Sequence, residues 1–146
     1  MGGLANGQFT GDVRRFQDAM SMPWFKCAPE GLLEDFVGLS DTECRVYMTI
    51  LCRIYIEGGP VRDDPDYWAP KLGLTIREWR ACRKNIVKRG RLRALDIELV
   101  PHLTNLDAEG QLAGYASIVA KRRRAAGASL NARGLKARKH LKLVED

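Results

Sequence analysis

Between Arg77 and Arg93 the chain carries eight basic residues, Arg77, Arg80, Arg83, Lys84, Lys88, Arg89, Arg91 and Arg93, against one acid, Glu78. Coiled as a helix, this segment puts Ile76, Trp79, Cys82, Ile86 and Val87 on one side. Arg77, Lys84 and Lys88 then cluster opposite them with Ala81 and Asn85, and Arg80 lies beside that cluster. One face anchors the helix while the other presents cations, the arrangement expected of a helix that enters a DNA groove. The major groove admits an α-helix, arginine reads guanine edges there and asparagine reads adenine. Arg77, Arg80, Lys84 and Asn85 are therefore the candidate groove contacts. Lys88, Arg89, Arg91 and Arg122 to Arg124 are candidate phosphate contacts, which set register without carrying sequence information. Arg83 falls near the apolar side and reads as a packing or ion-pair residue. The competing reading is a solvated surface helix, but such helices alternate the signs of their charges and this one does not.

A second basic element follows. Lys121, Arg122, Arg123 and Arg124 form a run, joined by Arg133, Lys136, Arg138, Lys139 and Lys142. Residues 1–120 hold 15 basic and 16 acidic residues, whereas residues 121–146 hold 9 and 2, so the net charge of +6 sits in the tail. A polyanion is the partner such asymmetry suggests, with nucleic acid ahead of a membrane surface. The signal is generic, since a basic tail also suits RNA, an acidic protein surface or plain solvation.

Catalytic patterns do not emerge. There is no glycine-rich phosphate loop, no G-x-S-x-G elbow and no H-E-x-x-H helix, so no catalytic residue is assigned. Cys27, Cys44, Cys52 and Cys82 form no C-x-x-C pair and neither His102 nor His140 lies near one of them, which sets a zinc finger aside. Scattered single cysteines suit a reducing cytoplasm, as buried small hydrophobes. Asp63, Asp64 and Asp66 invite magnesium, yet their place before a helix start favours capping, so no metal or other cofactor is expected. His102, beside Pro101, reads as a loop histidine. Trp24, Trp68 and Trp79 are expected to fill a small core.

The elements that position these residues are punctuated clearly. Ser40-Asp41-Thr42-Glu43 is a capping box, and Gly58-Gly59-Pro60 ends the helix it opens near Glu57. Cys44, Tyr47, Met48, Leu51, Ile54 and Tyr55 form its apolar stripe, flanked by Ile50 and extended round by Val46 and Ile56. Asp64-Pro65 starts a second helix, which Gly73 stops and Pro70 keeps short or kinked. Tyr67, Trp68 and Leu72 face the core from it. Thr75-Ile76-Arg77-Glu78 is a second capping box, opening the basic helix that ends at Gly90. Three helices with a short connection between the last two are the skeleton of a helix-turn-helix fold. Ahead of them, Pro23-Trp24-Phe25-Lys26 reads as an extended segment. Residues 91–116 read as a hairpin, with a turn region from Asn105 to Gly110, and residues 117–142 as helical despite Gly127 and Gly134.

A length of 146 residues fits one domain with tails. The expected organisation is a flexible leader over 1–22 (with a short helix around Val13 to Ala19, and Met20 and Met22 as alternative starts), a domain over 23–116 and a basic extension over 117–146. No run approaches the roughly 20 apolar residues of a membrane span, and the N-terminus lacks a signal-peptide pattern. The residues 23–79 carry Pro23-Trp24-Phe25-Lys26, Pro29, Leu33, Asp35, Leu39-Ser40, Glu43, Tyr47, Leu51, Gly58-Gly59-Pro60, Asp63-Asp64, Leu72 and Trp79. In this combination they resemble the YdaU-like family of phage and prophage proteins. Arg122-Arg123-Arg124-Ala125-Ala126-Gly127 is similar to the basic, glycine-containing segment that follows the domain in that family. The sequence departs from the family at Cys44 and Val46, where small residues are usual.

The resemblance implies a winged-helix, DNA-associated role in replication initiation or its control, and it supplies no catalytic residues. The expected fold class is accordingly mainly α, a winged helix-turn-helix with a small β-hairpin wing and a basic C-terminal extension. The expected function is DNA binding in a bacterial cytoplasm, for phage or mobile-element replication, and not an enzyme. The alternative is an adaptor or inhibitor that binds a host replication or transcription protein, or a transcriptional regulator.

Overall fold

The computed structural model describes residues 21–144. The leader over residues 1–20, with the helix expected around Val13 to Ala19, lies outside the described residues. Among the described residues, those up to Leu112 make one unit and those from Ala113 a second. Among the described residues there are five helices and three strands: α1 (Pro29–Phe36), α2 (Asp41–Glu57), β1 (Val61–Arg62), α3 (Pro65–Leu72), α4 (Ile76–Lys88), β2 (Arg93–Ile97), β3 (Val100–Thr104) and α5 (Leu106–Val144). The chain is mainly helical, with a small three-stranded antiparallel sheet in the order β1-β3-β2.

Helix α2 starts where its capping box requires. The Glu43 N–H donates to Ser40 Oγ at 3.2 Å and the Ser40 N–H to Glu43 Oε1 at 3.1 Å, which satisfies two backbone donors that the helix itself leaves open. It ends at Gly58, whose φ of 77° a residue with a Cβ adopts reluctantly. Its inner face buries Val46, Tyr47, Ile50, Leu51, Ile54 and Tyr55, while Ile56, expected to extend the stripe, is 53% exposed. Helix α3 opens on Asp64, whose Oδ1 accepts from the Asp66 N–H, runs eight residues through Pro70 and ends at Gly73, whose φ is 68°. Arg45 of α2 caps its other end by donating to the Leu72 carbonyl at 2.7 Å.

The core closes where α3 meets α4. Trp68 and Trp79 stack with ring centroids 6.1 Å apart, and the Trp68 indole N–H donates to the Arg62 carbonyl at 2.8 Å. Val61 and Leu103 pair across β1 and β3 and are both fully buried, which seats the sheet on the same core. Full burial of each large apolar side chain contributes about 1.5–3 kcal/mol, so the helices draw most of their stability from this contact.

Several expectations need correction. Trp24 does not fill the core but stands 59% exposed; Phe25 packs instead, stacked on Tyr55 at 4.2 Å. The segment after Ala28 is helical because Pro29 occupies the first helical position and Glu30 the first turn. The hairpin ends at Thr104, and residues 106–116 are helix, because the side chain of Asn105 accepts from the Ala108 N–H and caps α5. His102 lies in β3 rather than in a loop, with Nδ1 2.7 Å from the Val100 carbonyl oxygen. Met22 is buried and its N–H donates to the Tyr55 carbonyl, so packed structure is already present one residue before Pro23.

The hairpin turn is built from the wrong residues for its shape. Glu98 and Leu99 have φ of 50° and 66°, both left-handed, the geometry that favours Asn-Gly. Each L-residue held there costs about 1 kcal/mol. The double variant Glu98→Asn/Leu99→Gly is expected to gain about 1 kcal/mol net, allowing for the extra chain entropy of glycine. A thermal melt should then rise by about 4–8 °C. An unchanged or lower midpoint would show that the turn is not strained.

Candidate nucleic-acid interface

Helix α4 is set by its second capping box. The Thr75 N–H donates to Glu78 Oε2 at 2.7 Å and the Glu78 N–H to Thr75 Oγ1 at 3.2 Å. The only acid of the basic segment is thereby committed to the helix terminus. Hydrogen bonds from Thr75 hold the Glu78 carboxyl below its ordinary value. Trp79, Cys82 and Ile86 form the buried face, whereas Ile76, expected among them, is 41% exposed.

The eight cations of this region fall into two sets. Arg77, Arg80, Lys84 and Lys88 are exposed and make no ion pair or side-chain hydrogen bond among the described residues. They follow the helix at spacings of three and four, a stripe about 16 Å long, and they stand on the side opposite Trp79, Cys82 and Ile86. The other four each engage groups of the protein itself. Arg83 donates to Asp63 Oδ2 at 2.6 Å, and that carboxylate is nearly buried. Arg91 lies 3.5 Å from Asp35 and donates to the Glu34 carbonyl at 3.0 Å. Arg93 lies 3.7 Å from Glu109. Arg89 folds its guanidinium over Gly38, whose φ of 77° and missing Cβ leave room for it, and its charge acts on Glu43.

Asn85 thus differs from its place on the helical wheel, and Arg91 from its expected role as a phosphate contact. Asn85, expected among the outward cations, turns toward α2 and donates to Glu43 Oε2 at 2.5 Å. A base contact by Asn85, or a phosphate contact by Arg91, would first have to break these bonds. Lys121, Arg122, Arg123 and Arg124 all lie exposed on α5 in the second unit. The three aspartates before α3 are engaged in part, Asp63 by Arg83 and Asp64 by the helix start.

Glu43 joins two helices and makes that joint acid-sensitive. Burial raises its carboxyl, but hydrogen bonds from Asn85 and Ser40 and the charge of Arg89 outweigh this and hold it below the ordinary 4.5. A depressed folded-state value stabilises the protein above the unfolded value, and the contribution is lost as pH falls through the folded one. Wild type should therefore lose melting temperature between about pH 5 and about pH 3 faster than Glu43→Gln, which keeps the cap without titrating. Parallel losses in the two proteins would exclude Glu43 as the acid-sensitive group.

The fold is a mainly helical domain completed by a small antiparallel sheet, with one helix turning a stripe of free cations outward. The chain belongs to the family described as "Protein of unknown function (DUF1376)", which matches residues 23–101, from the segment before α1 into β3. No curated protein and no solved structure matches the chain. Among the described residues no helix is long and apolar enough to cross a membrane.

Proposed function

We propose that this chain is a DNA-binding protein that docks the outward face of α4 against the duplex and holds phosphates with the basic part of α5. One observation carries the reading: four cations share a helix face and make no ion pair among the described residues, while Arg83, Arg91 and Arg93 are paired with the protein's own acids. Four like charges at helical spacing repel one another by about 0.2–0.5 kcal/mol per pair, a cost that a polyanion removes. Arg77, Arg80 and Lys84 are the groove contacts in this reading, and Lys88, Arg89 and Lys121 to Arg124 hold phosphates.

The topology supports a winged helix-turn-helix. Three residues, Gly73-Leu74-Thr75, separate α3 from α4, a connection of the length such a motif uses. The hairpin β2–β3 follows α4 directly, and β1 pairs with its second strand. The resemblance to the YdaU-like family supports a place in phage or mobile-element replication, in the cytoplasm of a bacterium, with binding rather than catalysis as the activity.

The hairpin favours a second reading. Its tip presents Asp96 and Glu98 beside a Leu99 that is 96% exposed, a surface that repels phosphates and suits a protein partner. This is the adaptor or regulator reading, in which a host replication or transcription protein is bound.

Fluorescence anisotropy with single- and double-stranded DNA over a salt series separates the two. DNA binding through α4 and α5 requires affinity for duplex that falls steeply with salt, by about 0.9 in log–log slope for each phosphate contact. Absence of salt-sensitive binding, together with a stoichiometric protein partner that survives nuclease treatment, would favour the adaptor.

A further inference from the structure

We propose that the cleft between α1, α2 and the first turns of α5 binds a guanidinium or ammonium group carried on an alkyl chain. The cleft lies within the first unit and has a volume of about 250 Å³. Clefts for drug-sized ligands run from about 300 to 1,000 Å³, so this one suits a single side-chain-sized group rather than a nucleotide. Its walls bring the rings of Phe25, Tyr47 and Tyr55 together with the carboxylates of Asp35 and Asp107.

The two tyrosines are both nearly buried, at 1% and 3% exposure, but they are satisfied differently. Tyr47 donates its hydroxyl to Asp35 Oδ2 at 2.9 Å. Tyr55 is fixed by face-to-face stacking on Phe25, yet its hydroxyl has no hydrogen-bond partner among the described residues. The ring is buried, but its oxygen is not among the buried unpartnered atoms, so it stays open to the cleft and free to accept a hydrogen bond there. Burial, then the charge of Asp107 and the proximity of Cys27, raise this hydroxyl to about 12, and both of those residues line the cleft, so the hydroxyl end of the ring lies toward it.

Charge selects the ligand. Asp35 is partly neutralised by Arg91, whereas Asp107 has no ion pair among the described residues. A cation between Asp107 and the Tyr55 oxygen completes both groups, with its alkyl stem against the aromatic rings. The side facing α5 is held shut by a reciprocal clamp: the Lys26 N–H donates to Gln111 Oε1 and Gln111 Nε2 to the Lys26 carbonyl, both at 2.8 Å.

The full chain, labelled with nitrogen-15, is titrated with N-acetyl-arginine methylamide, with spermidine and with the uncharged glycine analogue. Saturable shifts at Phe25, Tyr55 and Asp107 with a charged probe, and none with the glycine analogue, are expected. Tighter binding of the arginine probe assigns the site to a basic side chain of a protein partner, and tighter binding of spermidine to a free polyamine. Tyr55→Phe keeps the stacked ring and removes only the hydroxyl, so its melting temperature should hold while probe affinity drops about tenfold. Asp107→Asn should weaken binding to a similar degree. DNA affinity of both variants should stay at the wild-type level, which separates this site from the α4 face. No shifts with either charged probe, or unchanged probe affinity in Tyr55→Phe and Asp107→Asn, would overturn the proposal.

Discussion

Alanine at Arg77, Arg80, Lys84 and Lys88 together is expected to weaken duplex DNA binding about a thousandfold at about 0.1 M salt. The figure combines three lost groove contacts, each worth about 1–3 kcal/mol, with one lost phosphate contact, which lowers the log–log salt slope by about 0.9. The fold should be indifferent or improve. All four side chains are exposed and without partners among the described residues, so no buried group is orphaned by their removal. Alanine also has the highest helix propensity, and the substitutions relieve mutual repulsion. Circular dichroism should be unchanged and the melting temperature equal or higher. Arg83→Ala makes the converse experiment. It strands the nearly buried Asp63 carboxylate and should cost about 1–3 kcal/mol, discounted from the fully buried case because Arg83 is a third exposed, while leaving the salt slope intact. A quadruple variant that binds within about threefold of wild type would remove α4 from the interface.

Trp79→Ala should have the largest effect on stability, about 3–5 kcal/mol, measured as a shift of the urea midpoint. Trp79 is fully buried and supports the stacked Trp68, which in turn ties α3 to the strand through the Arg62 carbonyl. Deleting the indole opens a cavity at the point where α3, α4 and the sheet converge. A small domain has roughly 5–15 kcal/mol in total, so a large fraction of the variant should be unfolded at 37 °C. Trp79→Phe should cost much less than alanine. It retains most of the packing and discards an indole N–H that has no hydrogen-bond partner among the described residues. Equal losses in the two variants would mean that the ring volume is not what matters.

How far the fold was legible depended on whether its cause was local. Helices α2, α3 and α4 are each announced within four residues, by Ser40 with Glu43, by Asp64-Pro65 and by Thr75 with Glu78, and α2 and α3 each stop at a glycine. These are short-range hydrogen bonds, so the sequence order contains them. Strand β1 is two residues long and exists because Val61 meets Leu103, more than forty positions away, so no local pattern marks it. Helix α1 escaped because Gly31 and a weak apolar period obscure it, although Pro29-Glu30 was a usable signal. Asn105, Asp107 and Gly110 suggest a turn by composition, yet Asn105 acts as a cap and the helix runs on through the glycine.

The site divides along the same line. The outward stripe of Arg77, Arg80, Lys84 and Lys88 follows from helical periodicity alone, as does the inward lean of Arg83. What periodicity cannot supply is the identity of partners on other elements. Asn85 meets Glu43 across 42 positions and Arg91 meets the Glu34 carbonyl across 57, and both are drawn into the fold by those groups. Arg83, Arg91 and Arg93 are thereby paired with the protein's own acids, which sharpens a diffuse basic run into one stripe.

Chemical-shift mapping of the nitrogen-15-labelled chain with a short duplex at low salt locates the bound face residue by residue. Docking through α4 requires the large shifts to fall on Arg77, Arg80, Lys84 and Lys88, and on Lys121 to Arg124, with the hairpin tip at Glu98 and Leu99 undisturbed. Shifts that gather at the hairpin tip or in the Tyr55 cleft, with the α4 stripe silent, would contradict it.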